Sequence, residues 1–398
     1  MDSAGHHFAS LLHPISMGAF FADYWERQPL LVRRGNGDYY RGLLTNRDLE
    51  DIISNSDVRY PAIRLAKDGA YFPPQTYTHD VQIGELTFSA VPDLAKLSEE
   101  YAKGATIALP ALHRTWQPLS ELCARLEDQL DHVIHSNVYI TPGHAAGFTA
   151  HYDTHDVLVL QIAGKKQWRI DEPTIKLPHS SQSCNPQAFT PGPRLAEIEL
   201  EAGDLLYLPR GYGHSTSTSA GPSAHVTIGI NVYTWVDLVK GLLPSCIESE
   251  EFRTALPAGF ASRAELRPVI KAQLARMLPD LGNDPDRLLD QVIFMVKAAR
   301  RRIPARFRTD MVVLAPESLL EAPAERSYGV ARNGDHVVLT FEGRTYVFKA
   351  PIVPTFSAMC ARGTFQIRDL PGSDPEKILS FARYLQSIGF LRQASGAR

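Results

Sequence analysis

The chain has 398 residues, of which 44% are hydrophobic, enough for sizeable cores in two or three domains. A formal net charge of −3 with a pI near 6.5 gives no basic field, so direct nucleic-acid binding is not indicated. Cys123, Cys184, Cys246 and Cys360 are far apart and form no CxxC pair, which argues against a zinc ribbon or a disulfide framework. With no basic-then-apolar leader after Met1 and no apolar run of membrane-spanning length, the expectation is a cytoplasmic protein with free thiols and no membrane partner.

In chain order, residues 16–27 have helical periodicity, with Phe20, Phe21 and Trp25 on one apolar stripe, and Asn46 is placed to cap a helix running to about Ile53. Pro118, a residue favoured in a first helical turn, opens a helix to His132, with Leu119, Leu122, Leu126 and Leu130 at helical spacing. That helix delivers the chain to a strand around Asn137. Residues 157–162, a tight turn at 163–165 and residues 166–170 read as a hairpin. Residues 197–200 lead through Gly203 and Asp204 into a strand at 205–208, and residues 209–213 turn the chain just before His214. A helix over 235–243 leaves this core.

Residues 262–278 and 284–301 read as an amphipathic αα-hairpin whose apolar residues, Leu266, Val269, Leu274, Leu289 and Ile293 among them, pack within the chain or form a dimer interface. Further on, 337–341 and 344–348 alternate about Glu342-Gly343 as a hairpin, and a helix spans 374–388.

The chemistry concentrates at His151, Asp153 and His214. With 14 histidines in the chain, about one His-x-Asp triplet is expected by chance, so the pair alone is weak. If residues 148–153 are extended, however, His151 and Asp153 point to one face. His214 follows a strand-like run at what would be a barrel mouth. Two imidazoles and one carboxylate form a facial triad that leaves about three coordination positions open, as non-haem Fe(II) requires. His155 is the rival ligand, since it lies two residues past Asp153 and would share its face.

The residues Asn137-Val-Tyr-Ile-Thr-Pro142, Gly147-Phe148, His151-Tyr-Asp153, Gln161, Gly164-Lys-Lys166 and Trp168 resemble the JmjC (cupin-type) ribosomal oxygenases, as do Gly203-Asp204, Tyr207, Pro209-Arg210-Gly211 and His214. The opening stretch, His13-Pro-Ile-Ser16 with Phe20, Tyr24-Trp25-Glu26 and Gln28-Pro29-Leu30, is similar to the same family. The resemblance implies a mostly β core with α elements, a double-stranded β-helix (jelly roll), followed by a helical dimerisation module and a small winged-helix-like α+β domain. The expected division is an oxygenase domain at 1–243, the dimerisation module at 244–305 and the C-terminal domain at 306–398.

The resemblance also implies Fe(II) as cofactor, 2-oxoglutarate as co-substrate, a homodimer, and hydroxylation of a protein or peptide side chain, with a ribosomal protein as the implied substrate. It makes Lys166 the anchor for the far carboxylate of 2-oxoglutarate, with Lys165 on the opposite, exposed face by strand parity. Asn137 and Tyr139 share a face that the resemblance turns into the pocket, and His225, with Thr227 on the same face of a late strand, either supports the ligands from behind or faces the co-substrate rather than binding the metal. Two alternatives stand beside this reading. One keeps the iron chemistry on a small molecule or natural-product peptide, or as N-demethylation, although no Cys/His zinc module accompanies the core. The other is a non-enzymatic β-barrel interaction protein.

Overall fold

The computed structural model describes residues 6–241, 246–247, 250–258, 263–281, 289, 293, 313–323, 328–333, 336–341, 344–372 and 374–394. The chain clusters into two compact units, Met1–Val232 and Tyr233–Arg398.

The first unit contains thirteen strands among its described residues: β1 (Leu30–Val32), β2 (Arg64–Lys67), β3 (Ala70–Tyr71), β4 (Thr78–Ile83), β5 (Leu86–Pro92), β6 (Thr106–Pro110), β7 (Val133–Thr141), β8 (Asp156–Ala163), β9 (Lys165–Asp171), β10 (Arg194–Glu201), β11 (Leu205–Leu208), β12 (Gly213–Ser217) and β13 (Ser223–Asn231). Eight of them form one sheet in the order β1-β11-β8-β13-β7-β6-β2-β3, and a second sheet runs β10-β9-β12. The pairings within both sheets are antiparallel, as a jelly roll requires. Val157 and Val159 of β8, Trp168 and Ile170 of β9, Leu200 of β10 and Leu206 and Leu208 of β11 form one buried cluster that joins the two sheets.

The other face of the large sheet is covered by N-terminal elements and by the helix Gln117–Leu130, through Phe8, Phe20, Leu49, Leu119, Leu122 and Leu126 packed on Leu158, Leu160 and Ile228. Burying apolar area at roughly 25 cal/mol per Å² makes this the main drive for docking those helices.

Three local expectations are corrected. The stretch 157–170 is not a hairpin: β8 pairs with β11 and β13, whereas β9 pairs with β10 and β12. The chain turns a corner between sheets at Gly164, whose φ of +65° is left-handed and whose missing Cβ would lie 1.9 Å from the Pro222 carbonyl oxygen. Residues 16–27 do not make one helix; a short turn, Met17–Ala19, passes into a π-turn, Phe20–Tyr24, closed by Trp25 N–H donating to Phe20 O at 3.0 Å. Phe20 is thereby fully buried against Tyr207, while Phe21 is exposed. The helix Asn46–Asn55 is capped by Thr45 rather than Asn46, because Thr45 Oγ1 accepts from Asp48 N–H at 3.2 Å while the Asp48 carboxylate accepts from Thr45 N–H at 2.8 Å.

In the second unit, the expected pairing of 337–341 with 344–348 is observed, with Val337 opposite Phe348. The helices Val353–Arg362 and Pro375–Ser387 contribute Phe356, Met359, Ala382 and Leu385 to a core shared with Leu320, Leu339 and Phe390. Asp374 caps the second helix by accepting from Glu376 and Lys377 N–H. Of the expected αα-hairpin, the helix Arg267–Leu281 is described; the partner at 284–301 lies outside the described residues except for Leu289 and Ile293.

Candidate metal centre

His151, Asp153 and His214 each offer one ligand atom, and these atoms lie within 4.8 Å of one another, a grouping suited to a metal ion. Backbone pairing creates this convergence. The segment that carries His151 is not a strand, contrary to expectation; His151 forms an isolated antiparallel bridge with His214, N–H to O at 3.1 and 2.8 Å. The same loop is tied at Asp153, whose carbonyl accepts from Gly211 N–H at 3.0 Å. Long-range pairing therefore sets the spacing that strand parity had been expected to set.

Each imidazole is also fixed in rotation. His151 Nδ1 lies 2.8 Å from Thr149 O, and His214 Nδ1 lies 3.1 Å from Tyr212 O. A carbonyl can only accept, so both Nδ1 atoms carry protons and both Nε2 lone pairs are available to a metal. Burial, with the neighbouring His151, holds the His214 pKa down to about 4, which keeps the ring neutral. Burial pushes the Asp153 carboxyl upward, but His155, His214, His151 and His135 together outweigh it and hold the group below its ordinary range. A neutral His214 beside an ionised Asp153 matches the protonation states that ligation needs.

The loop before His214 is braced from beneath. Buried Asp156 accepts from Tyr207 Oη at 2.7 Å and Arg210 N–H at 3.0 Å, and the Arg210 guanidinium pairs with both Asp156 and Glu26. Glu26 N–H donates to Tyr207 Oη at 3.0 Å, so the N-terminal stretch is bonded into this network.

All eight residues singled out from the sequence line one pocket: His151, Asp153, His214, Lys166, Asn137, Tyr139, His225 and Thr227. Register explains the grouping. On the paired strands β7 and β13, Tyr139 faces His225 and Asn137 faces Thr227. Asn137 Oδ1 accepts from Ala111 N–H at 3.1 Å, and the Tyr139 ring stacks on His225 with centroids 5.2 Å apart. Burial raises the Tyr139 phenol well above its ordinary value and pushes His225 well below its own, the latter aided by Lys166.

Lys166 is 1% exposed, and its hydrogen bond among the described residues goes from Nζ to Thr141 Oγ1 at 2.8 Å. Burial lowers its pKa to about 7. Lys165 is exposed and pairs with Glu199 and Glu201, as parity requires. His155 lines the pocket but stands outside the converging set, its ring packed against His135 at 4.9 Å.

Sequence reasoning assigned no site role to Thr141, which bonds the pocket lysine, or to Trp168, which lines the pocket. Thr141 holds the lysine, and Trp168 brings its buried indole ring to 5.8 Å from His214 and 5.7 Å from His225. Trp168 Nε1 and His225 Nδ1 are both buried without a hydrogen-bond partner among the described residues. A buried ammonium with only a hydroxyl, an orphaned indole N–H and an orphaned ring nitrogen together suit a small anionic ligand. The His-Asp-His set suits a divalent metal beside it.

Against known proteins, a family model described as the JmjC domain matches residues 112–238. Ribosomal oxygenase 1 of Danio rerio is 32% identical over 274 residues, covering 65% of this chain and 48% of that protein. The bifunctional lysine-specific demethylase and histidyl-hydroxylase NO66 of Drosophila persimilis is 27% identical over 366 residues, covering 84% of this chain and 48% of its own length. The chain thus spans about half the length of the curated relatives it matches. Among solved structures, the Escherichia coli ribosomal oxygenase YcfD, solved in complex with cobalt and 2-oxoglutarate, superposes with a TM-score of 0.51 at 17% identity, covering 95% of this chain and 98% of that one. That last likeness is one of fold.

Proposed function

We propose that the chain is a member of the JmjC ribosomal oxygenase family, which it resembles through the JmjC domain match at 112–238 and its curated relatives, and that it is an Fe(II)- and 2-oxoglutarate-dependent oxygenase that hydroxylates a protein side chain. The observation that carries the reading is the convergence of His151, Asp153 and His214 in one pocket with the buried Lys166. His151, Asp153 and His214 would hold the iron, and Lys166 with Thr141 would hold the distal carboxylate of 2-oxoglutarate. Iron, 2-oxoglutarate and O₂ supply an oxidant for a C–H bond, with release of succinate and CO₂. The protein's part is to keep the two imidazoles aimed and His214 neutral, to seat the dianion on the pocket's Lys166, and to exclude water around them. Tyr139, Asn137, His225 and Thr227 would line the co-substrate and target sides of the same pocket.

The names of the matched relatives make a ribosomal protein the proposed substrate, and that of the Drosophila protein couples histidyl hydroxylation with lysine demethylation. The test is incubation of iron-loaded protein with 2-oxoglutarate, ascorbate and ribosomes, followed by mass spectrometry. A gain of one oxygen on a ribosomal protein is the expected result. Methyl loss would replace hydroxylation by demethylation, and succinate formation without a modified macromolecule would move the target to a small molecule.

The assembly reading is a homodimer built on the helical stretch within 244–305, with a winged-helix-like domain at 306–398 in a packing or substrate-docking role. In the chain by itself, Val269, Leu274, Leu289 and Ile293 are exposed, which leaves an apolar surface for a symmetry mate to cover. Charged residues at Leu289 and Ile293 should yield monomers or aggregates by light scattering. A wild-type monomer at micromolar concentration would end this assignment.

A further inference from the structure

The loop that carries His151 is gripped from outside the pocket by the β2–β3 hairpin. Lys67 pairs with Ala70, so a two-residue turn, Asp68-Gly69, joins the strands, with φ of +50° and +81°. Positive φ at both central positions marks the type I′ turn that matches a hairpin's twist, and Asp-Gly is among the pairs that favour it. β3 forms one edge of the eight-stranded sheet, which brings the tip of the hairpin to the ligand loop.

Two adjacent loop residues meet this hairpin. A Cβ on Gly69 would stand 2.6 Å from both Cγ2 and Oγ1 of Thr149 and 3.1 Å from its Cβ, so the turn lies against that side chain with no room to spare. On β3, the Tyr71 ring lies 5.5 Å from that of Phe148, with the Arg64 guanidinium 3.5 Å from the tyrosine's centroid. Both loop residues in turn reach His151: Thr149 O accepts from its Nδ1 at 2.8 Å, and the Phe148 ring stands 6.2 Å from the imidazole at 67°. The loop backbone is tied at Gly147, whose N–H donates to Thr216 O at 3.0 Å, and again at His151. Thr149 lies midway between those ties, where the hairpin supplies the contact. The other two members of the set have separate supports, since His214 is aimed by Tyr212 O and Asp153 is tied to Gly211.

We infer that Gly69 is a positioning residue for His151: by letting the turn close on Thr149 it holds the carbonyl that sets the rotation of that imidazole, and a side chain at 69 releases it. This rests on the metal-site reading above. Glycine at 69 answers two demands, the left-handed φ and the close approach, and one substitution separates them, because asparagine tolerates the left-handed region but carries a Cβ. The test is cobalt(II) titration of the full-length protein, read as affinity and as the visible absorption of the bound ion, which reports its coordination. Gly69→Asn should weaken cobalt by roughly tenfold or more, within the range expected when a ligating histidine loses its outer partner, and should shift the cobalt bands. Adding Thr149→Ala, which removes the two atoms at 2.6 Å and leaves the carbonyl, should restore most of the affinity and the wild-type bands. Should Gly69→Asn fail to fold, Tyr71→Ala decides: it takes the ring off Phe148 from a position 42% exposed, and should give a smaller loss with the same shift of the bands. A Gly69→Asn protein with wild-type cobalt affinity and spectrum, a loss that persists in the double variant, or, where Tyr71→Ala has to decide, a wild-type titration of it, would overturn the inference. Wild-type protein that takes up no cobalt, or cobalt binding unchanged in His151→Ala, would instead remove the metal-site reading itself.

Discussion

The two ends of the pocket are built on different principles. At the metal end, three side chains of opposite chemistry converge because a backbone bridge joins His151 to His214 and a further hydrogen bond ties Asp153 to Gly211, with each imidazole held by its own carbonyl. At the far end, a single ammonium sits in the interior with one hydroxyl partner, beside orphaned nitrogens of Trp168 and His225. The first arrangement is satisfied before any ligand arrives, apart from the lone pairs that face the metal. The second is unsatisfied by construction: without a counter-charge the buried lysine gives up its proton at a pKa lowered to about 7, and an anionic ligand would favour the charged form. The proposed metal end is thus preorganised by the fold, whereas the proposed anion end holds a buried lysine whose charge an anion would complete.

That contrast breaks first at the ligands. Asp153→Ala or His214→Ala should lower metal affinity by more than the ~10–100-fold that loss of a second-shell partner costs, and turnover should fall below detection, while circular dichroism stays that of wild type. The check is metal content after dialysis together with succinate release. A variant that still retained stoichiometric metal would show that the bridge-held set is not the site.

The next effect is smaller and confined to the other end. Lys166→Ala should weaken 2-oxoglutarate by roughly ten- to hundredfold, corresponding to about 1.5–3 kcal/mol for a charge-assisted hydrogen bond, and leave metal affinity unaltered. Anaerobic titration of metal-loaded protein separates the two. Equal losses of metal and 2-oxoglutarate affinity would mean that the ends are not independent, and an unchanged 2-oxoglutarate titration would place the anchor elsewhere.

The same contrast decides what could be read without coordinates. The convergence of His151, Asp153 and His214 is legible because the proposed ligation restricts residue type and spacing, and the burial of Lys166 because alternation along β9 separates it from exposed Lys165. The αL corner at Gly164 hides behind the same alternation: strand, turn and strand read as a hairpin, and only the pairing partners of β8 and β9 reveal two sheets. His155 satisfies the parity rule yet leaves the ligand set, because residues 148–153 are positioned by a bridge to His214 rather than by a strand of their own. Thr45 outcompetes Asn46 as a cap because Asp48 returns its hydrogen bond, a reciprocity present in the Thr45-to-Asp48 spacing. The role of Trp168 depends on what its indole nitrogen fails to meet, and a lack of partners has no sequence signature.

The last prediction turns the uncompensated charge into a proton count. Burial places the Lys166 pKa at about 7, against about 10.5 in an unfolded chain. The sign follows from linkage: between pH 7 and 10.5 the unfolded chain binds the proton that the folded apo-protein has released, so this lysine's contribution makes apo stability rise with pH across that window. A dianion seated against Nζ favours the charged form, so binding above pH 7 must draw a proton from solvent. Calorimetry of the metal-loaded protein at pH 8.5, in buffers of different ionisation enthalpy, should report uptake approaching one proton per 2-oxoglutarate, with affinity falling about tenfold per pH unit above 7. In Lys166→Met that uptake should vanish. His214 cannot mimic the signal, since its pKa, depressed to about 4 by burial and His151, leaves it neutral throughout this range. Uptake that persisted in Lys166→Met would assign the proton to another group and end the picture of a pocket whose anion end rests on one buried cation.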